Sequence, residues 1–128
     1  MILIARGIVL SVMACPEAME TLDEALTHVD PRKQVSGKAK MLALCAQLAD
    51  SGNLRMPEAF NKEARLPDGS NFFAVKTNKS FRLRAYGWYS SRHKATFIIS
   101  HFAFKKGEKL DDRDTSRVTA SWRRVENE

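Results

Sequence analysis

Residues 71–106 read NFFAVKTNKSFRLRAYGWYSSRHKATFIISHFAFKK. Three runs rich in aromatic and β-branched residues, Asn71 to Thr77, Phe81 to Tyr89 and Ala95 to Phe104, are separated by turns at Asn78-Lys79 and near Ser90-Ser91. Runs of this kind joined by short turns predict an antiparallel three-stranded meander. Alternation within the second run sends Phe81, Leu83 and Ala85 to one face and Arg82, Arg84 and Tyr86 to the other. The first face is core. The second is a row of two guanidiniums and a phenol. A solvated outer sheet face is one reading of that row. The other is a nucleic-acid surface, because Arg grips phosphate with a planar fork and aromatic rings stack on bases.

On the N-terminal side, Asn53 to Ser70 contains Pro57, Pro67 and Asp68-Gly69 and shows little periodicity, so it reads as a long connector. Ahead of it, Ala39, Leu42, Ala46 and Ala49 make a helical stripe within Arg32 to Ser51, flanked by Met41, Cys45 and Leu48 and stopped by Gly52. Gly37 weakens that helix and moves its expected start toward Lys38. Met19, Leu22, Leu26 and Val29 form the stripe of an earlier helix that opens at Pro16 and breaks at Asp30-Pro31. The two helices read as a hairpin. Ile2 to Met13 is dominated by Ile, Val and Leu and is expected to be one buried strand. Arg6 through Cys15 loosely imitates an export segment, but its charged part is a single Arg set among apolar residues. Beyond the meander, Val118, Trp122 and Val125 stripe a terminal helix over about Asp112 to Val125, with Asp112 or Asp114 as its cap.

The expected fold is therefore α+β: an N-terminal strand, a helical hairpin, an antiparallel three-stranded meander and a C-terminal helix. The chain has 128 residues, the length of one domain. Its composition, 44% hydrophobic and 28% charged, is globular rather than disordered. No apolar run reaches the ~18 residues of a membrane span, so no membrane partner is expected. Cys15 and Cys45 match neither a zinc nor a redox spacing, and a reducing cytoplasm is the expected location.

Charge divides the chain. Residues 1–60 hold six basic and seven acidic residues, net −1, whereas residues 61–128 hold fifteen and eight, net +7. Between Asn71 and Lys109, nine basic residues face one acid, Glu108. A solvated face normally mixes both signs, so this imbalance favours an anionic partner. Other chemistries lack their signatures. The glycines are scattered and build no phosphate loop, and no His, Cys and carboxylate cluster has metal-ligand spacing. No serine or cysteine nucleophile motif is present, and no cofactor is expected.

The order of elements and three motifs resemble the RelE/ParE superfamily of bacterial toxins, closest to its HigB-type and phage-derived branch. The motifs are Asn71-Phe72-Phe73-Ala74-Val75-Lys76, Phe81-Arg82-Leu83-Arg84-Ala85-Tyr86, and Ile98 to Lys106 with Lys109. The likeness covers Asn71 to Val125 well; before Ser70 it is element order alone. The resemblance implies a RelE-like fold and the toxin of a type II toxin–antitoxin system. It implies a metal-independent mRNA endoribonuclease, active on the ribosome in many members, in which the 2′-OH attacks the adjacent phosphate. By position, Lys76 and Arg82 would act at the scissile phosphate, Arg84 would share that load, and Lys105, Lys106 and Lys109 would track the RNA backbone. Arg92 joins them as a basic residue of the same region. His101 is a candidate proton carrier because histidine titrates near neutrality, or else a half-buried strand histidine. His93 reads as an exposed turn residue and His28 as unrelated. Trp88 and Tyr89 are expected either to stack on bases or to pack at the core edge.

The implied partners are mRNA, the ribosome and a cognate antitoxin protein. Two alternatives stand beside the nuclease. The long connector and the missing acid–base pair point to a phage- or plasmid-borne inhibitor that binds a host protein, as a gyrase poison does. A plain nucleic-acid-binding module is the third reading.

Overall fold

The computed structural model describes residues 1–107 and 109–127; Glu108, the acid of the basic stretch, lies outside the described residues. Strands β1 (Ile2–Arg6) and β2 (Ser11–Ala14) precede helices α1 (Ala18–Leu26) and α2 (Gln34–Ser51). Strands β3 (Phe60–Arg65), β4 (Asn71–Lys76), β5 (Leu83–Tyr89) and β6 (Thr96–Phe104) follow, and α3 (Asp112–Glu126) comes last. The strands form one mixed sheet in the order β1-β2-β6-β5-β4-β3, in which only the β2–β6 pair is parallel. The fold is α+β, a six-stranded mixed sheet with three helices.

The sheet has a core on each face. Leu83, Ala85, Phe97 and Ile99 pack with Leu22, Met41, Cys45 and Leu48 of α1 and α2. On the other side Phe72, Tyr86, Trp88 and Ile98 pack with Val118 and Trp122 of α3. Strand alternation supplies both sets, and this explains why β5 is buried from Leu83 to Trp88 rather than on one face alone. The expected row of Arg82, Arg84 and Tyr86 is thus no solvated face: Tyr86 lies wholly inside the second core.

The meander is present, extended by three further strands. Ile2 to Met13 is a hairpin, because Gly7 turns the chain against the end of α2. A β-carbon on Gly7 would lie 2.3 Å from the Ala49 carbonyl carbon. The amides of Val9 and Leu10 both donate to the Ala49 oxygen at 3.0 Å, so this loop satisfies a carbonyl that the helix end leaves open. The connector contains β3, an edge strand whose residues FNKEAR are half solvated and so hide the strand pattern. Asp68 and Gly69 (φ 90°) close the β3–β4 turn, where the Leu66 amide donates to the Ser70 oxygen at 2.7 Å.

The helices differ from expectation in their faces. The buried side of α2 is Gly37, Met41, Leu44, Cys45, Leu48 and Ala49, while Ala39 and Ala46 are exposed. Gly37 lies inside the helix because the Phe81 ring packs there, 3.1 Å from where a β-carbon would stand. Cys45 is a core residue, its thiol pushed up to about 12 by burial. Asp30 caps the short 3-10 turn Pro31–Lys33 ahead of α2. The cap of α3 is Asp111, whose side chain accepts from the Arg113 amide, rather than Asp112 or Asp114. No helix among the described residues is long and apolar enough to cross a membrane.

Candidate nucleic-acid interface

Sheet register creates the site. Lys76 at the end of β4 pairs with Arg84 at the start of β5, and Arg84 pairs with Ala103 near the end of β6. Paired residues share a face, here the α3 side. Ala103 is small, which leaves room above it for the longer side chains of its neighbours. The β4–β5 turn is built by its polar residues. The Leu83 amide donates to Thr77 Oγ1 at 2.9 Å, and the Ser80 amide donates to Asn78 Oδ1 at 2.9 Å. Arg82 is therefore a turn residue with φ 56°, ahead of the strand rather than within its alternation.

That turn and the β6–α3 loop are tied together. Arg82 Nη1 donates to the Lys106 oxygen at 2.6 Å, and Arg84 Nη2 donates to the Gly107 oxygen at 2.9 Å. The Lys105 amide donates to the Arg82 oxygen at 2.9 Å. Between turn, loop and the Pro57–Asn61 segment lies a cleft of about 790 Å³. Lys76, Lys79, Arg82, Arg84, Lys105 and Lys106 line it, and Glu58 is the one carboxylate among the described lining residues.

Arg84 and Lys105 are held from behind. Arg84 lies 3.7 Å from Glu63 Oε1, with both side chains buried (6% and 7% exposed). The Lys105 ammonium pairs with Asp114 and stands 4.0 Å from Asp111 Oδ2. Burial alone would raise the Asp114 carboxyl, but hydrogen bonds from His101 and Lys105 outweigh it and hold the group below the ordinary range. Arg113 holds Asp111 down to about 2.

His101 does not line the cleft. It is 2% exposed, beneath α3, with Nε2 2.9 Å from Asp114 Oδ1 and Nδ1 3.0 Å from Ser100 Oγ. Its ring packs at 5.2 Å on that of Tyr86, whose hydroxyl is pushed up by burial and by the charge of Asp114. Lys109 borders a smaller depression of about 340 Å³, which shares Lys105 with the main cleft. Arg92 sits at the other end of β5, where its amide donates to Glu126 Oε1 at 3.0 Å. Trp88 is buried in the second core, and the Tyr89 hydroxyl donates to the Gly52 oxygen at 2.7 Å. Neither ring lines the cleft.

Of the eight residues singled out from sequence, Lys76, Arg82, Arg84, Lys105 and Lys106 converge in the cleft. Sequence reasoning missed Glu58, Asn61 and Glu63, because the segment that holds them read as a connector. It also missed Asp114 as the link between His101 and Lys105. Nothing in the sequence signalled that link, because a loop separates Lys105 from α3 and helix capping was the simpler use for an aspartate there. Chemically, the cleft can grip a phosphodiester with guanidinium forks and ammonium charges and can stabilise negative charge that develops on phosphorus. Compared with known proteins, the chain matches no family model, no curated protein and no solved structure.

Proposed function

We propose that the cleft binds single-stranded RNA and cleaves it without metal, as the toxin of a type II toxin–antitoxin system with a RelE-like fold. One observation carries this reading: six cationic side chains from around three strand ends line one concave site, with Glu58 the one carboxylate among its described lining residues. Arg82 and Lys76 hold the scissile phosphate, Arg84 supplies charge from the cleft floor, and Lys105 and Lys106 follow the backbone. The 2′-OH gives up its proton to solvent and attacks the adjacent phosphorus, the bond from phosphorus to the 5′-oxygen breaks, and that oxygen takes a proton from solvent as it leaves, giving a 2′,3′-cyclic phosphate. A cognate antitoxin covers the cleft until it is removed, and mRNA, free or on the ribosome, is the substrate.

The test is cleavage of mRNA in a translation extract containing a chelator. Wild-type protein should degrade the message, and Arg82→Ala should slow this by more than a hundredfold, the loss of about 3 kcal/mol of transition-state stabilisation. Full activity in Arg82→Ala would remove Arg82 from the site.

A second reading rests on His101. It is buried and committed to Asp114 and Ser100, and no histidine lines the cleft among the described residues. A non-catalytic inhibitor that uses the same basic cleft on a host protein needs no proton carrier. Recovery of one stoichiometric host protein, with mRNA intact throughout, selects that reading.

A further inference from the structure

Asp114 joins the protein interior to the cleft wall. It stands in the first turn of α3. One of its carboxylate oxygens, Oδ1, lies 2.9 Å from His101 Nε2, and the other pairs with the Lys105 ammonium. Behind His101 the chain continues through Ser100 Oγ, which is 3.0 Å from Nδ1 and 2.9 Å from Ser121 Oγ. His101, Ser100 and Ser121 are all buried. A buried polar chain is costly in desolvation, and apolar residues of like volume would serve packing as well or better. Stability alone is therefore a weak account of the arrangement, and its geometric result is the better one. A lysine side chain is long and flexible, and this one is pinned at the cleft by a carboxylate that is itself fixed on its far oxygen.

We propose that Asp114, oriented by His101, is a positioning residue for Lys105, setting its ammonium where a phosphate of bound RNA sits. The inference rests on the reading of the cleft as an RNA site. It makes a prediction about sign. Asp114 adds negative charge beside a cleft for a polyanion, so by Coulomb's law alone its removal tightens RNA binding. If Asp114 positions Lys105, its removal weakens binding.

The measurement is the affinity of a 2′-O-methyl RNA oligonucleotide, which cannot be cleaved, by fluorescence anisotropy. The proteins are wild type, Asp114→Asn, Lys105→Ala and the double variant. Lys105→Ala and Asp114→Asn should each weaken binding by about tenfold, the scale of one hydrogen bond to a charged group. The double variant should bind no more weakly than Lys105→Ala, because Asp114 acts through Lys105. A merely structural aspartate would show independent, additive losses. Thermal melting checks folding. Where Asp114→Asn does not fold, Asp114→Glu keeps the charge but moves it by one methylene, and the same weakening and masking are expected. Unchanged or tighter binding, or additive losses, overturns the positioning role while leaving the RNA site intact. Wild-type protein that does not bind the oligonucleotide overturns the RNA reading itself and this inference with it.

Discussion

At the mouth of the cleft, Arg82 holds a left-handed backbone (φ 56°) that crowds its β-carbon against the following carbonyl. Three bonds keep it there: its amide donates to the Asn78 oxygen at 2.9 Å, its oxygen accepts from the Lys105 amide at 2.9 Å, and Nη1 reaches Lys106. Strained residues persist only where their surroundings over-determine them, and they cluster at functional sites. The consequence is measurable. Arg82→Gly and Arg82→Ala both lose the guanidinium, but only alanine keeps the strain. Arg82→Gly should therefore be the more stable of the two by about 1 kcal/mol, read from urea midpoints. Equal midpoints would show the turn to be unstrained. At this scale the identity of the cations that line the cleft was legible, because charge sign is written in side chains. The αL geometry of Arg82 was not, since nothing local distinguishes it from a strand residue.

Helix α3 shows how an element can be recognised while its attachment goes unread. Its apolar stripe of Val118 and Trp122 predicts the helix and its packing face. Its polar docking through Ser121 and Asp114 depends on β6 arriving beneath it. That docking titrates. The Asp114 carboxyl lies below its ordinary value despite burial, because His101 and Lys105 hydrogen-bond its charged form; Tyr86 and Arg113 also stand near it, and Asp111 shares its Lys105 partner. A carboxyl lowered on folding contributes stability in full above its unfolded pKa of about 3.9, and loses it as pH falls through the folded value. The stability difference between wild type and Asp114→Asn, followed by melting from about pH 6 to pH 2, should be largest above pH 4 and should shrink below it. A difference that does not change with pH would mean that Asp114 contributes by shape alone. Strand β3 tells the complementary story. An edge strand needs no continuous apolar face, so Lys62, Glu63 and Arg65 masked it, although they are an expected way to blunt a sheet edge.

Across the whole molecule, charge and fold are coupled through the ends of the strands. The +7 of residues 61–128 would be diffuse on an extended surface. Here the antiparallel register brings the end of β4, the start of β5 and the end of β6 to one place, and six of those cations meet. If about three of them neutralise RNA phosphates, the affinity for single-stranded RNA falls with a log–log salt slope of about −2, or roughly 20-fold between 50 and 200 mM salt. Lys106→Ala should make that slope shallower by about 0.7, while Lys40→Ala, exposed on α2, should leave it unchanged. A slope near zero would argue against phosphate binding altogether. The meander, the three helices and the basic half were readable from sequence, because periodicity and charge are local properties of neighbouring residues. The edge strand β3, the N-terminal hairpin, the second core over Tyr86 and the Asp114 link from His101 to Lys105 were decided only by tertiary structure. The last three depend on a partner distant in the chain, the end of α2 for the hairpin and α3 for the other two, whereas β3 declares itself only by pairing with β4 at the sheet edge.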